Sequence, residues 1–123
     1  MTPFAATLPP GAAAPPRVVL DTNVLLDLWL FDDAAVGPLR AALQEGRLLA
    51  VRSAPCDAEL ADVLARPRFG LDPEARAAVL ARWAACSETL ADVRPAPLAC
   101  TDPDDQKFLD AAFSSGAALL KAA

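Results

Sequence analysis

The chain has 123 residues, of which 54% are hydrophobic and 22% are charged, so its length and apolar content suit a single folded domain. Eleven Lys and Arg residues against sixteen Asp and Glu residues give a formal net charge of −5, which argues against a protein that holds nucleic acid by bulk positive charge. The chain contains no His, and this excludes His-based acid–base catalysis and His-ligated metal sites.

The cysteines and the apolar runs indicate a cytoplasmic protein. Cys56, Cys86 and Cys100 are odd in number and far apart, so we interpret them as small core residues rather than as a disulfide framework or a zinc site. No apolar run approaches the roughly 20 residues that a membrane span needs. Residues 1–16 contain five prolines and no Lys or Arg, which predicts a disordered or extended Pro/Ala-rich tail before a single domain over residues 17–123.

In the first half of that domain, short apolar runs alternate with helical patterns. The Val-Val-Leu run after the tail has no polar alternation, which is typical of a strand buried on both faces. Gly46 is a plausible helix C-cap, and Pro67 stops a helix. The predicted elements are, in chain order, a strand over residues 18–20, helices over 24–31 and 36–46, a strand over 48–51 and a helix over 55–65.

The second half opens with the clearest helix signal. Asp72 can cap a helix whose first turn contains Pro73, because proline suits that turn. Apolar residues then recur at helical intervals from Val79 to Val93, which predicts one continuous helix through residue 93. The remaining predicted elements are an extended piece near residues 93–100, a helix over 102–113 that ends at Gly116, and a strand over 117–120.

Strands that alternate with helices predict an α/β fold with a mostly parallel sheet. Functional sites in such sheets form at the carboxyl ends of the strands, which directs attention to Asp21, the first residue after the first predicted strand. We expect Thr22 to orient the turn and Asn23 to hold the Asp21 carboxylate by hydrogen bonds. The alternative is that Asp21 only caps the following helix.

Two further carboxylates, Glu59 and Asp105, lie at the edges of predicted apolar helix faces. The alternatives are a solvated position for Glu59 and an ordinary first-turn position for Asp105. If these two converge with Asp21, their like charges oppose one another, and a divalent cation resolves the conflict. Oxygen ligands without imidazole or thiolate favour Mg²⁺ or Mn²⁺. Metal-assisted hydrolysis of a phosphodiester is the chemistry that follows.

Three segments of the sequence resemble a PIN domain. They are VVLDTNVLL at residues 18–26, AELADVL followed by RPRF within residues 58–69, and DPDDQKFL at residues 102–109. Their order and spacing are similar to those of PIN-domain toxins from bacterial VapBC-type toxin–antitoxin pairs. The resemblance covers nearly the whole chain from residue 17 to residue 120.

The resemblance implies a three-layer α/β/α sandwich and a Mg²⁺- or Mn²⁺-dependent endoribonuclease in which a metal-bound water attacks an RNA phosphorus. By the same resemblance, Asp21, Glu59 and Asp105 would be the catalytic metal ligands, and Asn23 would stabilise the site by hydrogen bonding. The implied partners are an RNA substrate and a cognate antitoxin that blocks the site, and a homodimer is a further expectation.

The sequence departs from the family pattern after its last predicted helix. Family members usually continue into a strand and a Ser/Thr/Gly-x-Asp segment, whereas here Gly-Ala-Ala at residues 116–118 runs into LLKAA, and no Asp follows Asp110. We therefore expect a truncated last-strand region and one carboxylate fewer. Two alternatives stay open: a catalytically impaired PIN protein that binds an antitoxin or dimerises, and a phosphatase of the haloacid-dehalogenase type, which also places Asp after its first strand.

Overall fold

A parallel sheet forms the centre of the protein, and the computed structural model describes residues 14–121. The tail predicted over residues 1–16 lies largely outside these described residues. The strands are β1 (Arg17–Leu20), β2 (Leu49–Arg52), β3 (Ser87–Thr89) and β4 (Ala118–Leu120), all parallel, in the order β3-β2-β1-β4. β1 has a neighbour on each side, and its apolar residues 18–20 are buried, as the unbroken apolar run predicts.

Helices precede or follow each strand. They are α1 (Thr22–Trp29), α2 (Gly37–Gln44), α3 (Ala54–Leu64), α4 (Pro73–Ala85) and α5 (Gln106–Ser115). Single turns of 3₁₀ helix lie at Ala34–Val36, Pro67–Phe69 and Pro103–Asp105. Among the helices of residues 14–121, not one combines the length and apolar character that crossing a membrane would require.

The side chains of β1 divide between two cores on opposite faces of the sheet, because successive residues of a strand point to opposite sides. Val18 and Leu20 pack in the larger core, which includes Trp83 of α4. Val19 packs in the smaller core with Phe108 of α5. Each fully buried aliphatic side chain contributes about 1.5–3 kcal/mol. Helices therefore cover both faces, and the expected α/β/α sandwich is the fold of this chain.

Several helix ends follow the local signals in the sequence. The side chain of Asp72 accepts a hydrogen bond from the Ala75 amide at 2.7 Å, and Pro73 is the first residue of α4. Gly116 ends α5 with a φ of 69°, a left-handed conformation that strains residues with a side chain. The predicted cap at Asp72 and the predicted stop at Gly116 are thus confirmed.

The prediction of one helix through residue 93 is wrong. α4 ends at Ala85, and β3 follows at once, paired with β2 through Ala50↔Ser87 and Arg52↔Thr89. The Ser87 hydroxyl donates to the Trp83 carbonyl at 2.6 Å and accepts from Arg52 at 2.8 Å. The chain therefore pairs with the open edge of β2 instead of continuing as a helix. This pairing joins residues that are far apart in sequence, and helical periodicity carries no information about it.

The first helix is shorter than its apolar pattern indicates. α1 ends at Trp29, and Phe31 is 56% exposed rather than part of the apolar face. Asp32 adopts a φ of 48°, and the carboxylate of Asp33 accepts from the Ala35 amide at 2.9 Å. The left-handed residue turns the chain away from the core just beyond the helix.

The three cysteines are free thiols, as their spacing predicts. Cys56 is buried in the smaller core, whereas Cys86 and Cys100 are half-buried. Burial raises the pKa of the Cys56 and Cys86 thiols above the ordinary value. The interpretation as core residues therefore holds best for Cys56.

Candidate functional site

A cleft of about 180 Å³ opens beside the carboxyl end of β1. This is the edge at which sites form in parallel sheets. All five residues that the sequence singles out line this one cleft, which is bounded by Asp21, Thr22, Asn23, Glu59, Val63, Arg66, Arg68, Asp105 and Phe108. The fold thus brings Asp21 and the start of α1 together with Glu59 of α3 and with Asp105, which lies 84 positions after Asp21 in the chain.

Asp21 lies at the base of the cleft and is only 7% exposed. Its carboxylate accepts a hydrogen bond from the Val24 amide at 2.9 Å and so caps α1. Its own amide donates to the carbonyl of Leu120 at 3.1 Å, which ties the residue to the end of β4. The capping role that sequence leaves as an alternative is therefore real, and it fixes the direction of the carboxylate.

Glu59 projects from α3 and is held by two donors from distant segments. The hydroxyl of Thr22 donates to Oε2, and the ammonium of Lys107 donates to Oε1 at 2.8 Å. The Glu59 side chain is 24% exposed, so the solvated alternative does not describe it. Thr22 is buried. Its position in the turn after β1 does not by itself predict the contact with Glu59.

Asp105 reaches the cleft from the turn that leads into α5. Its Oδ2 accepts a hydrogen bond from the ammonium of Lys121 at 2.6 Å. The neighbouring Asp102 caps the turn by accepting from the Asp104 amide at 3.0 Å. Asp102 therefore caps the turn, as the sequence indicates, whereas Asp105 lines the cleft.

Asn23 lies on the exposed rim of the cleft. The backbone amide of Val24, one residue further along, bonds the Asp21 carboxylate. The role expected of Asn23 as a hydrogen-bond donor to Asp21 remains a prediction.

The two lysines were missed by sequence reasoning. Lys107 follows Asp105 by two residues, and Lys121 is the residue directly after β4. The DPDDQKF segment contains Lys107, so the acidic turn itself was an available signal. No local pattern points to Lys121, because only the register of β4 against β1 brings residue 121 beside Asp21.

Both ammonium groups are stabilised in their charged form. Burial lowers the pKa of Lys107, but its hydrogen bond to Glu59 and the charges of Glu59 and Asp104 outweigh that effect, so the pKa is raised. The hydrogen bond to Asp105 raises the pKa of Lys121, and the charges of Asp105 and Asp21 add to it. Opposite charges at short range favour the charged form of each partner.

The donor set fits a hard divalent cation by its chemistry, since the cleft presents carboxylate oxygens without imidazole or thiolate. These carboxylates are, however, too far apart to form a complete metal site in this structure. Within residues 14–121, no three acidic or thiol side chains lie close enough together to hold a metal ion. Lys107 and Lys121 instead neutralise Glu59 and Asp105. A cation at this cleft would have to compete with these two ammonium groups for the carboxylates.

Arg66 and Arg68 line the cleft, whereas Arg40, Arg47 and Arg52 do not. Arg52 pairs with Asp57 at 2.6 Å, Arg47 pairs with Glu45 at 2.6 Å, and Arg40 bonds the Leu28 carbonyl at 3.1 Å. The guanidinium of Arg68 stacks over the ring of Phe69, with 4.8 Å between Cζ and the ring centroid. The guanidinium groups at the cleft therefore come from the segment that follows α3.

Comparison with models of protein families matches residues 17–120 to the PIN domain. Comparison with curated proteins and with solved structures returned no match. The matched segment includes all four strands, all five helices and every residue of the cleft. The chain therefore belongs to the PIN domain family, whose members are typically nucleases that bind nucleic acid and generally use divalent metal ions.

Proposed function

We propose that this protein is a Mg²⁺- or Mn²⁺-dependent endoribonuclease of the PIN type, and that it is the toxin of a VapBC-type toxin–antitoxin pair in the cytoplasm. The observation that carries the proposal is the shared cleft of Asp21, Glu59 and Asp105, three carboxylates from separate segments. The choice of RNA and of an antitoxin partner follows from the resemblance of the three sequence segments to PIN-domain toxins. A homodimer is a further part of the proposal.

Asp21, Glu59 and Asp105 would hold the cation. When bound, the cation supplies an activated water and stabilises negative charge on the phosphate. The protein's part is to hold the ligands in place. The cap at Val24 directs the Asp21 carboxylate, and the Thr22 hydroxyl directs Glu59. Such supporting contacts commonly affect metal affinity or activity by about 10- to 100-fold.

Arg66 and Arg68 would bind the RNA backbone. Both side chains line the cleft and are exposed, and guanidinium groups match phosphate oxygens in geometry and charge. These contacts act locally, which reconciles a nucleic acid substrate with the net charge of −5. Contacts of this kind position the backbone without selecting a sequence.

The catalytically impaired PIN protein remains a second candidate, because Lys107 and Lys121 bind two of the three carboxylates directly. In this case the protein would bind an antitoxin or dimerise without cutting RNA. The exposed apolar side chains Phe31, Leu98 and Phe113 would suit such contacts. Membership of the PIN family removes the case for a haloacid-dehalogenase-type phosphatase.

The test is cleavage of RNA with added Mn²⁺ by the parent protein and by Asp21→Asn. Asparagine retains the helix cap, so we expect a folded protein whose cleavage falls about 100-fold or more, beyond the loss typical of a supporting residue. Asp62→Asn is the matched control, because Asp62 is an exposed carboxylate of α3 that does not line the cleft.

Equal cleavage by the parent and by Asp21→Asn would refute the site assignment. A parent protein that cuts no RNA with Mn²⁺ but binds its cognate antitoxin would instead favour the second candidate.

A further inference from the structure

Lys121 is placed at the catalytic edge of the sheet by the pairing of β4 with β1. Leu120 lies opposite Leu20, and the Leu120 carbonyl accepts the Asp21 amide at 3.1 Å. Lys121 therefore lies directly after β4 at the position that corresponds to Asp21 directly after β1. From this position its ammonium donates to Asp105 Oδ2 at 2.6 Å.

The two lysines of the site are not equivalent. The Lys107 ammonium bonds Glu59 at 2.8 Å and also the Asp104 carbonyl at 2.6 Å, and its side chain is 24% exposed. The Lys121 side chain is 49% exposed and reaches Asp105 from the adjoining groove. Lys121 is therefore the more easily displaced of the two ammonium groups, since a more exposed ion pair is weaker.

An ammonium on Asp105 and a divalent cation on the same carboxylate repel each other. A bound Mg²⁺ would lie about 2.0–2.1 Å from its ligand oxygens, whereas the Lys121 nitrogen lies 2.6 Å from Oδ2. A metal on Oδ2 would displace the lysine, and a metal on Oδ1 would be repelled by the ammonium across the same carboxylate, so each binds at the expense of the other.

We propose that Lys121 is a built-in counter-cation that competes with the divalent metal for Asp105 and thereby sets the metal affinity of the site. The inference rests on the proposed function, because it takes Asp21, Glu59 and Asp105 as the metal ligands. In the protein without metal, Lys121 neutralises Asp105 and so reduces the repulsion between the carboxylates of the cleft. Metal binding at Asp105 requires the Lys121 ammonium to withdraw from that carboxylate.

The experiment is direct titration of the full chain with Mn²⁺, followed by isothermal calorimetry and by the electron paramagnetic resonance signal of free Mn²⁺. Lys121→Gln removes the charge and keeps a polar side chain of similar length. We expect Mn²⁺ to bind this variant about threefold or more tightly than the parent, the size expected for losing a competing exposed ion pair. Arg47→Gln removes an equal charge outside the cleft and should leave the affinity unchanged.

Asp21→Asn separates this inference from the proposed function. If Mn²⁺ binds the parent in a manner that Asp21→Asn abolishes, but binds the parent and Lys121→Gln equally, the competition is refuted while the metal site stands. If Mn²⁺ binds neither protein, or if binding is insensitive to Asp21→Asn, both proposals fail. An equal gain in Arg47→Gln would assign the effect to net charge and would also refute the role of Lys121.

Discussion

The hydroxyl of Thr22 donates a hydrogen bond to the carboxylate of Glu59, 37 positions further along the chain. Thr22 opens α1 directly after Asp21, and Glu59 lies in the middle of α3. The contact therefore couples the end of the central strand to the helix that supplies the second carboxylate. These two carboxylates of the cleft are thus oriented by different donors, Asp21 by the Val24 amide and Glu59 by the Thr22 hydroxyl.

The first prediction concerns this contact. Thr22→Val keeps the shape of the buried side chain and removes its hydroxyl, so Glu59 retains Lys107 as its donor. We expect RNA cleavage to fall about 10-fold, in the range for loss of a supporting group, and the free energy of unfolding to fall by about 1–2 kcal/mol. Thr22→Ser retains the hydroxyl and should keep most of the activity. A Val variant as active as the parent would show that the hydroxyl does not orient Glu59.

The second prediction concerns RNA binding by the arginines of the cleft. Arg66→Gln and Arg68→Gln should each weaken the binding of single-stranded RNA to the catalytically silent Asp21→Asn protein. The slope of log K against log salt concentration should fall by about 0.7 for each lost phosphate contact. Arg47→Gln, whose guanidinium pairs with Glu45, is the control. Unchanged slopes in the two cleft variants would place the RNA elsewhere.

The third prediction concerns the buried indole of Trp29. Trp29 is 2% exposed, and among the described residues its Nε1 has no hydrogen-bond partner. An unpaired buried donor costs about 1–3 kcal/mol. Removing the indole N–H recovers this cost, which offsets much of the packing energy lost when a phenyl ring replaces the indole. We therefore expect Trp29→Phe to change the free energy of unfolding by less than about 1 kcal/mol, against about 3–5 kcal/mol for Trp29→Ala. Chemical denaturation measures both, and equal losses would contradict the argument.

The fourth prediction concerns acid stability. The hydrogen bond from Arg82 lowers the pKa of Asp32 below its ordinary value of 3.8, aided by the charges of Arg82 and Arg40 and opposed by burial. A folded-state pKa below the unfolded value means that the pair stabilises the protein above pH 3.8 and loses this effect as the pH falls through the folded-state pKa.

The measurement is the melting temperature of the parent and of Asp32→Asn between neutral pH and about pH 2. Asparagine tolerates the left-handed backbone of residue 32, so the comparison isolates the charge. The parent should melt higher near neutral pH, and the two curves should meet at the acidic end. A constant difference across the range would show that the charge of Asp32 is not its cause.

Sequence patterns were enough to predict the parallel α/β fold, most of the element positions and the three carboxylates that line the cleft. These features rest on local signals: the unbroken apolar run of β1, the Asp72–Pro73 cap and the acid that follows the first strand. The same local signals extended α4 too far, because the strand at Ser87–Thr89 depends on the open edge of β2 rather than on its own residues.

The groups that neutralise the carboxylates of the cleft become apparent only in the folded chain. Lys121 carries no motif, and it reaches Asp105 because the register of β4 sets it beside Asp21. The Thr22 contact with Glu59 likewise depends on how α1 and α3 pack. Contacts between residues far apart in the chain leave no periodic trace in sequence, since helix and strand patterns report only which face of an element is buried.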